Sequence, residues 1–536
     1  MAETGASAVI RALCEEGIKL VFGMPGLHTL AFWDAFARHP EMRAVVTRHE
    51  QAAAFAADGY ARASGRPAAV IAITGPGATN TLTGVATAYV DSVPMVVITG
   101  EVDSKYAGRD CETLHELPDQ RAIFASVTGF SRRVMRIEDL APTVREAFVA
   151  MRGGRPRPVH IDVPIDLQRA EATPAESPAR RITRPGPDPA CVDQVAAMLA
   201  VARRPILYCG GGAVSSAQEV QRLAETLGSA VITTATARGI VPDDHPLSLG
   251  NAWAKATRDG PAADFLRSCD VMLALGASFG GNPTGHWTLP VPEKLIQVDV
   301  SPAVLGRHYP TMSILAAAET FVPILLEALE AYYPAAVDRR SFHDDIARTV
   351  EAIQSTCRPE ARAVLDSIRT GVGREGIVVN DETAIAYNAL TYLPVYAPRT
   401  FLSSAKFGTL GYGLPAAIGA KIGRPDCRVV AICGDGGLLL NCHELATAVQ
   451  ENLALAVLVH NDRGYGAIRH SQDHLYDGRR VGVDLHTPDM RSLAESFGLR
   501  YLKPSDPQHL REGIEGAMVG SGPTLIEWVN YVPFPW

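Results

Sequence analysis

The strongest limit on how this chain can fold is a recurring pattern: a short apolar run, then glycines or small polar residues, then a helical pattern. The runs fall at Ala44–Thr47, Ala69–Ile73, Met95–Thr99, Val159–Val163, Pro205–Cys209, Ala230–Thr234, Val271–Leu275, Leu295–Val300, Val429–Cys433, Leu455–Val459 and Thr524–Trp528. Strands that are apolar throughout, rather than alternating, are buried on both faces, as in parallel sheets covered by helices. At 536 residues the chain also exceeds a single core, since cores stop growing near about 250–300 residues. The expected fold class is therefore α/β, with three doubly wound parallel-sheet domains. Two shifts in composition mark the joins. Gln168 to Ala190 carries five prolines and no apolar periodicity, and reads as an exposed crossover linker. Tyr332 to Gly373 is polar and helix-biased, before strand signals resume at Gly376–Asn380. The expected domains are residues 1–168, 190–335 and 365–536.

Composition excludes several classes of function. A net charge of −8 supplies no basic field for a polyphosphate backbone, so nucleic acid is not an expected partner. The nine cysteines are scattered and form no C-x-x-C, which reads as reduced thiols in a cytoplasmic protein. Glu3, Glu15 and Glu16 on an N-terminal helical pattern are unlike a secretory leader. No run approaches the roughly 18 apolar residues of a membrane span, so a membrane partner is not expected either.

The sharpest local signal is Val429–Cys433 followed by Gly434-Asp435-Gly436-Gly437 and a helical pattern from Leu438 to Gln450. A strand that ends in glycines and opens into a helix presents backbone N–H groups and a positive helix end, a cradle for a diphosphate. The glycines let the backbone approach the phosphates, and Asp435 can hold a divalent cation bridging them. A second strand, Ala454–Val459, runs into His460-Asn461-Asp462-Arg463-Gly464-Tyr465-Gly466. Parallel strands end at the same sheet edge, so Asp435 and Asn461 or Asp462 can converge on one metal; the bland alternative is that Asp435 merely caps a helix. In the first domain Glu50 stands at a strand-to-helix turn ahead of an alanine-rich helix. Apolar neighbours would leave this carboxylate poorly solvated and favour its protonated form; the alternative is a carboxylate facing the helix dipole. Gly210-Gly211-Gly212 follows a strand, but there is no G-x-G-x-x-G with a downstream acidic ribose ligand. A vestigial nucleotide fold is thus favoured over an FAD site.

These motifs carry a resemblance. Gly434-Asp435-Gly436 with the later Asn-Asp pair resembles the signature of thiamine-diphosphate enzymes, and the Glu50 segment with Thr74-Gly75-Pro76-Gly77-Ala78-Thr79-Asn80 resembles the cofactor-activating segment of the same family. The resemblance implies Mg²⁺ held by Asp435, by the carboxylate of Asp462, which lies 27 residues on, and by the carbonyl of Gly464. Asp462 replaces the family's usual Asn, and Asn461 takes its place if the register shifts by one. It further implies cofactor contacts from Glu50, Pro76, Asn80, Gly408, Gly434, Gly436, Gly437, Tyr465 and Gly466, with Leu410 wedged beneath the bent coenzyme. Glu50 would hydrogen-bond the pyrimidine and so promote formation of the C2 ylide. The family's late glutamate is absent, its place taken by Ile468 beside Ala467. Gly26-Leu27-His28 and Asp119-Gln120 resemble pocket segments of benzaldehyde lyases, so Leu27, His28, Gln120, Ala467 and Ile468 are expected on the substrate side. There His28 would transfer protons and Gln120 orient a carbonyl, unless His28 only hydrogen-bonds within its loop. His115 and Glu116 would line the same pocket or cap a loop. The middle domain resembles that of acetolactate synthases, and three segments (Pro25–Leu30, Thr47–Gln51 and His115–Gln120) resemble 5-guanidino-2-oxopentanoate decarboxylases.

At the level of domains, the resemblance implies a pyrimidine-binding first domain, a central nucleotide-fold-like domain and a diphosphate- and Mg²⁺-binding third domain. The implied activity is thiamine-diphosphate-dependent decarboxylation or carboligation of a 2-oxo acid through a C2 ylide and an enamine. Acetolactate-synthase-type transfer and acyloin lysis are the alternatives, and a non-catalytic regulatory subunit is the reading from another class. Family half-sites come from two subunits, which implies a homodimer at minimum and a homotetramer by closed symmetry.

Overall fold

A computed structural model describes residues 3–172, 182–251, 260–332, 338–404 and 406–536. They form three parallel sheets. The first contains β1 (Leu20–Gly23), β2 (Arg43–Val46), β3 (Ala68–Ala72), β4 (Met95–Glu101), β5 (Phe130–Arg133) and β6 (Val159–Pro164), in the order β2-β1-β3-β4-β6-β5. The second contains β7 (Pro205–Cys209), β8 (Ala230–Thr233), β9 (Val271–Leu275), β10 (Lys294–Asp299) and β11 (Met312–Leu315), ordered β11-β10-β9-β7-β8. The third contains β12 (Ile377–Asn380), β13 (Phe401–Ser403), β14 (Val429–Gly434), β15 (Ala456–His460), β16 (Arg500–Leu502) and β17 (Thr524–Trp528), ordered β13-β12-β14-β15-β17-β16. The α/β class with three parallel-sheet domains is as expected. Strands β3 and β9 are buried at every residue, which is why their sequences carry no polar alternation. Strand β6 is equally buried yet alternates His160 and Asp162 with apolar residues, their polar atoms bonded to Ser131, Thr99 and Gln120.

Five strands have no counterpart among the apolar runs: β1, β5, β11, β13 and β16. Four of them lie on sheet edges: β5, β11 and β16 are partly exposed and tolerate polar residues such as Ser131, Arg132 and Arg500, while β13 is buried but only three residues long. The fifth, β1, is only four residues long. The proline-rich linker needs correction at its ends. Gln168 is fully buried inside the helix Ile165–Arg169, and the amide reaches the carbonyls of His28 and Val163 at 2.8 Å each. Pro189 already opens the helix Pro189–Ala200, capped by Asp188. Residues 173–181, the middle of that linker, lie outside the described residues. The helix-biased stretch holds the helices Arg340–Gln354 and Pro359–Val372.

First and third domains meet along two helices, Glu50–Ser64 and Gly413–Gly423. Alanine and glycine at the seam allow the backbones to touch: a Cβ on Gly59 would lie 2.1 Å from the Ala416 carbonyl oxygen, and one on Gly419 would lie 1.8 Å from that of Ala56. The alanine-rich run after Glu50 is therefore a packing surface between domains. Among the described residues no helix is long and apolar enough to cross a membrane, and none of Cys14, Cys111, Cys191, Cys209, Cys269, Cys427, Cys433 and Cys442 is disulfide-bonded.

Candidate active site

In the third domain, β14 ends at Gly434 and the helix Asp435–Leu440 starts at once, with Asp435 in its first turn and fully buried. Thr487 Oγ1 donates to Asp435 Oδ2 at 2.6 Å, while Asp435 Oδ1 is buried without a protein partner. Strand β15 pairs with β14 in register, Gly434 opposite His460, so the residues after each strand emerge at one edge. Burial, and then the like charge of Asp435, pushes the Asp462 carboxyl up to about 6. Asn461 is engaged elsewhere: its amide donates to Glu527 Oε1 at 2.6 Å and its oxygen accepts the Arg463 N–H. The residue facing Asp435 is thus Asp462. Two carboxylates crowded together, one with an orphaned oxygen, form an environment that a divalent cation would relieve. No group of three or more His, Cys, Asp or Glu side chains converges among the described residues, so any further ligand has to be a carbonyl or water. Tyr465 packs against the loop, its ring edge 2.8 Å from where a Cβ on Gly436 would sit. Gly464 is similarly tight against Arg469 and the Val483 carbonyl.

The loop holding Gly408 and Leu410 is fixed from below. Asp381 accepts the backbone N–H groups of Gly411 and Gly413 at 3.1–3.2 Å, and Asn441 donates to the Gly411 carbonyl at 2.8 Å. Gly408 and Gly411 take positive φ angles of 66° and 81°, available to glycine at little cost. Leu410 is half-buried at the loop's crest. Sequence reasoning missed Asp381, whose role follows from N–H groups that fold back on it 30 residues later.

In the first domain Glu50 opens its helix, and Asn80 Nδ2 donates to its Oε2 at 3.0 Å. Pro76 begins the helix Pro76–Asn80, and both Pro76 and Asn80 are exposed. The expectation that Glu50 is itself enclosed by apolar neighbours is corrected here: the alanines after it are buried, but Glu50 is half-exposed in the single chain. The turn before it is held by the third domain, where Glu444 Oε1 accepts the N–H groups of Arg48 and His49 at 2.8 and 3.0 Å.

His28 is buried, its ring 5.4 Å from that of His115 in an edge-to-face contact. Burial, followed by the charges of His115 and Arg169, holds its imidazole below the usual 6.5. Its Nδ1 has no partner in the fold. Gly100 at the end of β4 makes the room, since a Cβ there would stand 2.4 Å from the His28 carbonyl oxygen; Gly75 does the same for His115. Gln120 is a correction. It is fully buried, and its amide is spent on Thr74, Gly75, Thr99, Gly100 and Asp162, leaving nothing to orient a substrate carbonyl. The residue that stands beside His28 is His115, five positions before Gln120. Glu116 caps its own turn through Cys111 N and Thr113 N. Leu27 and Ile468 are 53% and 54% exposed, and Ala467 is half-buried. Among the described residues no hydrogen bond or ion pair joins Glu50, Asn80 or His28 to Asp435, Asp462 or Leu410. Large apolar side chains are exposed on both halves, including Leu27, Leu114, Leu440 and Ile468.

At the carboxyl edge of the central sheet a cavity of about 350 Å³ is lined by Gly210–Gly212, Gly276, Asp299, Arg155 and Arg184. Asp299 ends β10, an acidic position that the fingerprint spacing does not register.

Three family descriptions match the chain in turn: "Thiamine pyrophosphate enzyme, N-terminal TPP binding domain" at residues 3–123, "central domain" at 192–325, and "C-terminal TPP binding domain" at 384–528. The chain is 36% identical over 533 residues to a probable 2-ketoarginine decarboxylase of Pseudomonas aeruginosa, covering 98% of this chain and 93% of that one. It is 34% identical to a probable acetolactate synthase large subunit of Methanocaldococcus jannaschii (98% and 91% covered) and 32% identical to acetolactate synthase isozyme 1 large subunit of Escherichia coli (98% and 93%).

Proposed function

The chain belongs to the thiamine pyrophosphate enzyme family, and we propose that within it this enzyme is a Mg²⁺-dependent 2-oxo acid decarboxylase, with carboligation by acetolactate-synthase-type transfer as the second reading. Of the named activity of the Pseudomonas relative, what carries over is decarboxylation of a 2-oxo acid. The observation that carries the reading is the Asp435–Asp462 pair, two crowded carboxylates at the end of a glycine-rich strand-to-helix turn.

Asp435, Asp462 and the Gly464 carbonyl would hold the metal, and the N–H groups of Gly434, Gly436 and Gly437 the diphosphate. Gly408, Leu410, Tyr465 and Gly466 would shape the slot for the rings. Glu50, steadied by Asn80 beside Pro76, would hold the proton at the pyrimidine. When bound, thiamine diphosphate supplies the electron sink that lets a carboxyl group leave as CO₂. What this chain adds is orientation and proton placement. His28, neutral because it is buried and paired with His115, accepts a proton at an imidazole nitrogen on the substrate side. With Ile468 where the family's late acid stands, no carboxyl group at that position is placed to donate a proton to the reacting carbon, and this favours the carboligase reading as a second outcome.

Because Glu50 is half-exposed alone and apolar side chains surround both halves, a second copy supplying the missing half-site fits best, giving a homodimer and, by closed symmetry, a tetramer. The test is reconstitution of apoprotein with thiamine diphosphate and Mg²⁺, followed by calorimetric coenzyme uptake and CO₂ release across a panel of 2-oxo acids. Uptake that needs Mg²⁺, with CO₂ released, is expected. No uptake with the metal present would end the reading.

A further inference from the structure

The two histidines of the first domain are tied together from behind by one buried amide. Gly100 lies directly against His28: a Cβ there would stand 2.4 Å from the His28 carbonyl oxygen and 3.0 Å from its Cβ. Gly75 meets His115 in the same way, at 2.4 Å from the carbonyl oxygen and 3.0 Å from the Cβ. The Gln120 side chain joins these two glycines. Its Oε1 accepts the Gly75 N–H at 2.8 Å and the Thr74 hydroxyl at 3.0 Å, while its Nε2 donates to the Gly100 carbonyl at 3.1 Å. Shifting either glycine moves one histidine relative to the other, and the amide resists that shift.

Asp162 fixes which way the amide faces. It is fully buried in β6, opposite Thr99 in register, and accepts from Gln120 Nε2 at 2.7 Å. A carboxylate only accepts, so the nitrogen end of the amide has to face Asp162 and the oxygen end Gly75. The Thr99 hydroxyl donates to the same Asp162 oxygen, and His160 Nε2 stands 3.1 Å from it. Burial opposes the charge on Asp162, but His160, Thr99 and Gln120 hold its carboxyl below the ordinary range. Gln120 is itself fully buried and bonds only to protein, so its influence on the chemistry passes through what it holds.

We infer that Gln120, oriented by Asp162, is a positioning residue that sets the spacing of His28 and His115 for proton transfer. The inference rests on the role given to His28 in the reading above. The test is a double-mutant cycle on holoenzyme loaded with thiamine diphosphate and Mg²⁺, with CO₂ release from a 2-oxo acid as the readout. Gln120→Met keeps the length of the side chain and removes both ends of the brace. Alone it should lower kcat by about 10²-fold, as a displacement of about 1 Å does. In a His28→Asn background it should lower kcat less than about twofold further, because the group it positions is already gone. Equal fold losses in the two backgrounds overturn the inference, since a brace that only stabilises the fold acts the same with or without His28. Should Gln120→Met not fold, Gln120→Glu, which keeps the shape and loses the donors, enters the same cycle. A crystal structure of the variant supplies a second readout: the His28–His115 ring separation of 5.4 Å should change by about 1 Å, and unmoved rings overturn the inference. If the wild type releases CO₂ from no 2-oxo acid, the decarboxylase reading falls, and the ring separation alone decides the brace.

Discussion

Glu50 and His28 are the two side chains whose chemistry is most exposed to test. Glu50→Gln preserves shape and the contact with Asn80 while removing the acid, so coenzyme uptake should persist and kcat fall by about 10²–10⁴. Unchanged turnover would remove Glu50 from the reaction. For His28 the sign follows from its depressed value. A histidine held below 6.5 in the folded state stays neutral at neutral pH and charges only on acidification. The unfolded chain binds the proton first as pH falls from 6.5, so protonation also draws stability from the fold. The kcat/KM profile should therefore be flat near neutrality and lose activity on an acid limb below pH 6.5; His28→Asn should lower the plateau and abolish that limb. A limb that persists unchanged assigns it to another group.

At the level of elements, two contacts decide where the half-sites stand. The helices Glu50–Ser64 and Gly413–Gly423 meet backbone to backbone through Gly59 and Gly419, and neither carbonyl can retreat without moving its helix. Gly419→Ala should cost about 1–3 kcal/mol in denaturant unfolding, as overpacked cores do. A neutral result would mean that the helices stand further apart than described. Glu444 ties the turn ahead of Glu50 to the third domain by accepting two N–H groups. Glu444→Ala leaves both donors unsatisfied and should slow turnover, whereas Glu444→Gln keeps an acceptor oxygen and should recover most of it. Equal loss in the two variants would point to charge rather than to hydrogen bonding.

The whole molecule presents one half-site from the first domain and another from the third, each edged with exposed apolar side chains such as Leu27, Leu114, Leu440 and Ile468. Chelation of divalent cations should release the coenzyme reversibly, and activity should track the dimer on dilution in analytical ultracentrifugation. A fully active monomer would contradict the two-copy site.

Much of this protein was legible along the chain because its signals are local. Glycine-rich strand ends announce themselves by composition, since only glycine permits that backbone approach, and buried parallel strands show as unbroken apolar runs. Thus β14, Asp435 and the Glu50 turn could all be read directly. Edge strands such as β5 and β16 could not, because exposure on one side removes the hydrophobic pattern that marks a strand. Side chains whose partners come from far along the chain were equally hidden. Gln120 looked available until Thr74, Thr99 and Asp162 were seen to occupy it, and His115 stood open between pocket and loop until His28 was found beside it. Sequence alone determined most of the buried strands and which chemistry their ends offer, because these depend on neighbours in the chain. Only the tertiary structure decided which polar groups are spent and which are free, because that depends on what packing brings within about 3 Å.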